Sequence, residues 1–421
     1  MGDRATNVPL LRNRDFVLLQ TGQLLSNLGT QATSIAYPLL VLAITHSPAK
    51  AGIVSFARIV PYAFLALLAG VAADRWNRKR LMIAADGVRV LAVATLAAVI
   101  LLDRRAFWPI PAVAFVEGTG SLFFGAAQTG ALRAVVPQRQ LPAAVGAQGA
   151  RSSAVRLIGP PVGGALFGLG RAVPFLVDAA SYAFSFVSLL AMRTPFQEER
   201  DVDTARLRTQ IAEGFRFLWT QPFLRTCAFL YGLTNLIGPG VLLAIVVVGR
   251  GQGLSSGEIG ALTAGFGACL LVGSLASPLF RRLLSVRAIL LLELWTWLGC
   301  AAFLIWPSVY VLTAGIMLSG IAIPATDSVV MGYRVAMTPD RLLGRVESVR
   351  TNISLLTTPL GPLAAGLLLS SVSARATIAV FAAFGLVLAL WGTLSSSIRN
   401  APSLDEFDEL ATTRPPAAAT G

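Results

Sequence analysis

The sequence predicts an all-α membrane protein in which twelve transmembrane helices form two pseudo-symmetric six-helix bundles. Three observations carry this. Of 421 residues, 55% are hydrophobic and only 13% charged, with a mean hydropathy of +0.70; a soluble domain usually carries about 25% charge. Apolar runs near the ~20 residues that cross a bilayer as helix recur from end to end. A soluble helical protein would need polar faces that these runs lack. The third observation is an internal repeat at an offset of 202 positions: Pro137 falls on Pro339, Arg139 on Arg341, Leu141 on Leu343, Gly159-Pro160 on Gly361-Pro362, and Gly164 on Gly366. Parallel six-helix repeats are a transporter architecture, with the substrate site between the halves near mid-membrane.

In order, residues 1–15 form an N-terminal segment, and 16–193 the first bundle, with spans at 16–44, 50–73, 81–102, 107–135, 143–169 and 172–193. Residues 194–221 form a charged linker (Glu198, Glu199, Arg200, Asp201, Asp203, Arg206, Arg208) expected to be partly helical. The second bundle occupies 222–397, with spans at 222–249, 257–280, 286–306, 309–335, 343–371 and 375–397, and 398–421 form an acidic, Pro-containing tail expected to be mobile. Arg12, Arg14 and Asp15 precede a first span too long and too polar for a cleavable signal. With both termini on the cytoplasmic side, 24 Lys and Arg lie in cytoplasmic segments and six in outer loops. That bias sets the orientation and places the chain in the cell (inner or plasma) membrane. It also accounts for the net charge of +13 without nucleic-acid binding. Cys227, Cys269 and Cys300 stand isolated and His46 is the single histidine, so neither a disulfide nor a zinc site is expected.

Each span contributes its own signal. The first carries Gln20, Gln23, Asn27, Gln31 and Ser34 at helical spacing, a polar stripe expected to face the bundle interior and line a cavity. The second contains Arg58 and ends in Gly70-Val71-Ala72-Ala73-Asp74-Arg75-Trp76-Asn77-Arg78-Lys79-Arg80, a basic stop that also fixes topology. Asp86 and Arg89 follow, three residues apart, as an expected structural ion pair. Glu117 lies about ten residues into the fourth span, near mid-membrane. The fifth span has Arg156 and Gly159-Pro160-Pro161-Val162-Gly163-Gly164: proline frees a carbonyl, and glycines admit a close neighbour. Asp178 and Asp327 are further intramembrane acids, with Glu293 of less certain depth.

Gly70, Asp74, Arg75, Arg78 and Lys79 match the loop 2–3 motif of the major facilitator superfamily, which the chain resembles over most of residues 10–400. Asn77 stands where that family often has glycine and is expected to supply a left-handed turn. The resemblance implies that this loop latches the halves, its Asp meeting the start of helix 11. The second half keeps Gly273 and Arg281-Arg282 but has Ser277 in the acid's place. Gly159, Pro160, Gly163 and Gly164 resemble the helix-5 motif of the superfamily's exporters. Gly22–Gly29, Asp86 with Arg89, and Pro174–Tyr182 resemble its drug:proton antiporter-3 branch, which includes macrolide and enterobactin-type exporters. Members commonly carry an acid directly after the helix-1 glycine, where this chain has Thr30.

The resemblance implies a monomeric secondary transporter that couples efflux of a drug-like, antibiotic or siderophore-type small molecule to inward proton flow. It works within the lipid bilayer, with no cofactor beyond the proton gradient. Uptake or facilitated diffusion is the alternative. Glu117 is the first candidate to carry the proton, followed by Asp178 and Asp327; Arg58 is a further intramembrane charge candidate, and Arg156 is a candidate counter-charge or binder of an anionic substrate group. No paired-Asp diphosphate motif and no GxxxxGK[ST] argue against a membrane transferase and an ATP-driven pump.

Overall fold

A computed structural model describes residues 9–103, 106–194, 196 and 205–401. Among these, every regular element is helical. Helix α1 (Arg14–Thr45) starts behind Asn13, whose side chain accepts the Phe16 N–H at 3.2 Å, and ends at His46 in the left-handed region (φ 54°). Ser47 caps α2 (Pro48–Arg75), with proline at the first helical position where its missing N–H costs nothing. Then come α3 (Arg78–Leu101), α4 (Pro109–Val135), α5 (Leu141–Leu169), α6 (Val173–Ala191), α7 (Ala205–Thr220), α8 (Pro222–Gly251) and α9 (Ser256–Leu283). The chain continues as α10 (Val286–Thr296), a 3₁₀ stretch (Trp297–Ala301), α11 (Ala302–Ile305), α12 (Val309–Met337), α13 (Asp340–Thr357), α14 (Leu360–Ser371), α15 (Ala374–Leu394) and α16 (Ser396–Arg399).

All twelve expected spans are present, their ends displaced by three residues or fewer. Two are interrupted. The ninth changes from α to 3₁₀ at Trp297, and the eleventh breaks at Thr358-Pro359. Eleven described helical segments are long and apolar enough to cross a membrane. Helix α5 has the length but carries Gln148, Arg151, Ser152, Ser153 and Arg156 in its first half. The expected linker helix is α7; Glu198, Glu199, Arg200, Asp201 and Asp203 lie outside the described residues, as do 1–8 and the tail from 402.

The helices divide into two compact units. Among the described residues, the first holds those before 205 together with 239–267 and 359–374. In it, α1 packs on α5 and α6, α3 on α4 and α6, and α2 on both α4 and α14. Phe16, Leu19, Met82, Phe124, Leu132, Leu189 and Phe196 fill the end beneath the 74–80 loop. Two further contacts in this unit match through the repeat. A β-carbon on Gly260 of α9 would lie 2.5 Å from the Pro160 carbonyl oxygen and 3.2 Å from Gly164 Cα of α5. One on Gly52 of α2 would lie 2.6 Å from the Pro362 oxygen and 3.1 Å from Gly366 Cα of α14. Pro160 and Gly164 are the repeat mates of Pro362 and Gly366, so the sequence repeat has a counterpart in packing. Among the described residues, the second unit holds 205–238, 268–358 and those from 375 onward. There α10 packs on α12, and α7 on α13, where Glu213 pairs with Arg345.

Candidate functional site

Glycines beside the polar residues bring four helices of the first unit close together. A β-carbon at Gly118 would strike the Arg58 carbonyl oxygen, so α2 and α4 touch backbone to backbone next to Glu117. Gly29 does the same between α1 and α6: a β-carbon there would strike Asp178 and Ser181. Into the space so defined, α4 places Glu117, which is 0% exposed. Its carboxylate accepts Tyr37 Oη at 2.7 Å from α1, Arg58 Nη2 at 2.9 Å from α2, and Tyr182 Oη at 3.2 Å from α6. Arg58 also donates to the Thr30 carbonyl at 2.6 Å, and the Thr30 hydroxyl meets Tyr182 Oη at 2.8 Å. A buried ion pair persists only when its remaining hydrogen-bonding capacity is met, and here it is met from three helices.

Asp178 lies alongside and is equally buried. Its donors are hydroxyls: Thr33 Oγ1 at 3.0 Å and Ser181 Oγ at 3.4 Å. Thr33 stands between the two acids, with Arg58 Nη2 3.5 Å from its oxygen. On the far side of Tyr182, Arg89 pairs with Asp86 and sits 4.2 Å over the tyrosine ring and 4.8 Å over Phe124, a desolvated cation–π arrangement. The expected Asp86–Arg89 pair is therefore formed, and it joins the Glu117 cluster through an aromatic face. The network holds three carboxyls (Asp86, Glu117, Asp178) and two guanidiniums (Arg58, Arg89).

Other expected residues fall elsewhere. Arg156 is exposed and does not face Glu117; the counter-charge there is Arg58, the other intramembrane arginine among the sequence's charge candidates. Asp327 is also exposed, at a small pocket shared with Tyr231, Arg350 and Ser354. Along the α1 stripe, Gln20 accepts Arg151 Nη1 at 2.5 Å, Gln23 is buried, Gln31 packs against Gly159, Ser34 donates to the Gln31 carbonyl at 2.6 Å, and Asn27 is half-buried. The neighbouring stripe of Thr30, Thr33 and Tyr37 is the one that reaches the acids. Gly163 abuts Ala32 of α1 and Gly164 abuts Ser256, so the α5 motif makes the close packing its composition implies. In the 74–80 loop, Asp74 pairs with Arg78 at 3.6 Å and Lys79 Nζ donates to the Met192 carbonyl at 2.5 Å. Asn77 does not make a left-handed turn. At φ −60°, ψ 113° it is extended, and its side chain caps α3 by accepting the Arg80 N–H at 3.1 Å. Asn favours both roles, and the helix start that follows at once selects the cap.

Membrane-spanning helices, a paired repeat and a charge network sealed inside the bundle define a polytopic membrane carrier. The transmembrane secretion effector family of the major facilitator superfamily matches residues 5–419, and the chain belongs to it. It is 27% identical over 418 residues to the multidrug efflux pump Tap of Mycolicibacterium fortuitum, covering 93% of this chain and 97% of that protein. Tap of Mycobacterium tuberculosis H37Rv is 27% identical over 416 residues, covering 93% and 94%. Macrolide efflux protein A of Streptococcus pyogenes is 23% identical over 184 residues, covering 43% and 45%. In fold, the chain is similar to a bacterial homologue of the iron transporter ferroportin (TM-score 0.73, 19% identity, covering 92% and 99%). It is also similar to a bacterial homologue of the lysosomal transporter Spinster (TM-score 0.71, 16% identity, 92% and 97%). The protein is a membrane transporter, from a family of carriers rather than enzymes.

Proposed function

We propose that this carrier exports amphiphilic, antibiotic-like small molecules in exchange for protons, working by alternating access in the cell membrane. The observation that carries the reading is the buried network of three carboxyls against two guanidiniums. Ionised throughout, it holds one uncompensated negative charge away from water, a costly state that a single proton relieves. The geometry favours Asp178 as the group that takes it. Glu117 already has Arg58 and two phenols, whereas Asp178 has hydroxyls that serve a neutral or an ionised acid equally. Thr33 and Arg58 link the two, so a charge change at Asp178 alters the hold on Glu117. The full-length likeness to multidrug efflux pumps supports export and a broad substrate class. In the family's manner, the 74–80 loop serves as the latch.

Everted membrane vesicles test this directly. Wild type accumulates an antibiotic identified by a resistance screen in an efflux-deficient host, and does so only under an imposed pH gradient. Asp178→Asn still binds it but accumulates no more than vesicles without a gradient. Gradient-independent equilibration by wild type would instead establish facilitated diffusion. Asp74→Asn lowers turnover at normal expression; unchanged turnover would reduce the loop to a topological anchor.

A further inference from the structure

The second unit contains a buried acid that no pairing explains. Glu293, on α10, is 4% exposed, and no guanidinium or ammonium pairs with it among the described residues. The groups that interact with it are Cys227 and Tyr231 from α8, Thr326 and Asp327 from α12, and Trp297 from its own chain one turn on. None is a cation. Arg334 and Arg350 are taken up by Glu347. Tyr231 is committed to the Leu290 carbonyl at 2.9 Å, while the Thr326 hydroxyl lies near both the Ile289 carbonyl at 3.3 Å and the Glu293 carboxyl.

Trp297 is the second observation. Its indole is turned toward Glu293 as a donor, yet its buried N–H reaches no acceptor within full hydrogen-bond geometry. An indole is a donor only, so the partner it lacks is an acceptor. The backbone changes character at this point. The α-helical turn ends at Thr296 and Trp297–Ala301 is 3₁₀, with Gly299 pressed backbone to backbone against Gly315. A 3₁₀ stretch inside a membrane helix is a place where one register of hydrogen bonds can exchange for another.

We propose that Glu293 is a second proton-exchange site, carried by the second unit, and that its carboxylate form captures the Trp297 N–H. Loading takes a proton from hydronium, leaving water and a neutral acid; release is the reverse, with no electron or co-reactant involved. Neutral Glu293 leaves the indole as the structure shows it. Ionised Glu293 draws it in and shifts the 3₁₀ turn. That this proton counts toward transport rests on the exchange reading above; that Glu293 titrates does not.

The test is infrared difference spectroscopy of the purified full-length protein, stepped from acidic to alkaline pH. Wild type is expected to lose a protonated-carboxyl C=O band and, with the same midpoint, to change its indole N–H signal. In an Asp178→Asn background, where the first unit's acid is silent, Glu293→Gln lacks both changes. Trp297→Phe keeps the carboxyl band but loses the indole change, which guards against a Gln variant that merely misfolds. Asp178→Asn, which probes the first unit's site, leaves both Glu293 signals in place. A carboxyl band that survives unchanged when Glu293→Gln is added to Asp178→Asn would overturn the proposal, as would an indole change in Trp297→Phe equal to wild type.

Discussion

Glu117 and Glu293 are the same residue, both buried in membrane helices, and their surroundings are opposite. Glu117 is gripped by one guanidinium and two phenols from three helices. Glu293 faces a thiol, hydroxyls, another acid and an indole N–H, none of them a cation. The difference teaches that burial by itself does not define a function for an intramembrane acid; its counter-charge does. A countered acid is costly to neutralise and serves as a fixed strut, while an uncountered one exchanges its proton at little cost to the fold. Asp178 is the informative intermediate, an acid of the second kind set inside the first kind's network.

Thermal unfolding in detergent is the measurement that breaks or sharpens this contrast. Glu117→Gln strands Arg58 in the bundle, and removing one partner of a buried pair costs about 3–5 kcal/mol. The largest fall in melting temperature is expected there, with export lost as well. Asp178→Asn strands no cation and loses at most roughly 1–2 kcal/mol of hydrogen bonding, while uncoupling transport from the pH gradient. Thr30→Val removes one hydroxyl from Tyr182 and should cost roughly 1 kcal/mol, with coupling retained. Glu293→Gln is expected to be smallest, within about 1 kcal/mol of wild type, because an amide replaces an acid that no charge opposes. A melting loss for Glu293→Gln as large as that for Glu117→Gln would erase the distinction.

The helices were legible because length and hydropathy fix a membrane span almost without reference to its neighbours, and the repeat was legible because proline and glycine recur for packing reasons. The acids were legible as rare charges in apolar runs. Their partners were less so. Arg58 and Glu117 lie on different helices, and only three dimensions show that Gly118 brings those helices together. Tyr37 and Thr33 escaped notice, and Thr30 and Tyr182 stood out only within family patterns, because hydroxyls and aromatics are ordinary in membrane helices. The spacing of 30, 33 and 37 on one face was the available signal, overshadowed by the amide stripe beside it. Asn77 was misread because one residue type suits two neighbouring backbone roles. The break at Trp297 had no sequence signature beyond a single glycine.

The two glycine–proline contacts, Gly260 on Pro160 and Gly164, and Gly52 on Pro362 and Gly366, bear on how this chain tolerates change. One joint is built at two addresses of the repeat, each with its own partner glycine. Scanning every residue type at every position should therefore trace two matched troughs of intolerance. Variants drawn from the same small-residue alphabet should survive at both, and a single added methyl should register at each. Where the troughs differ in depth, the difference would record how far the two copies have drifted apart in their work.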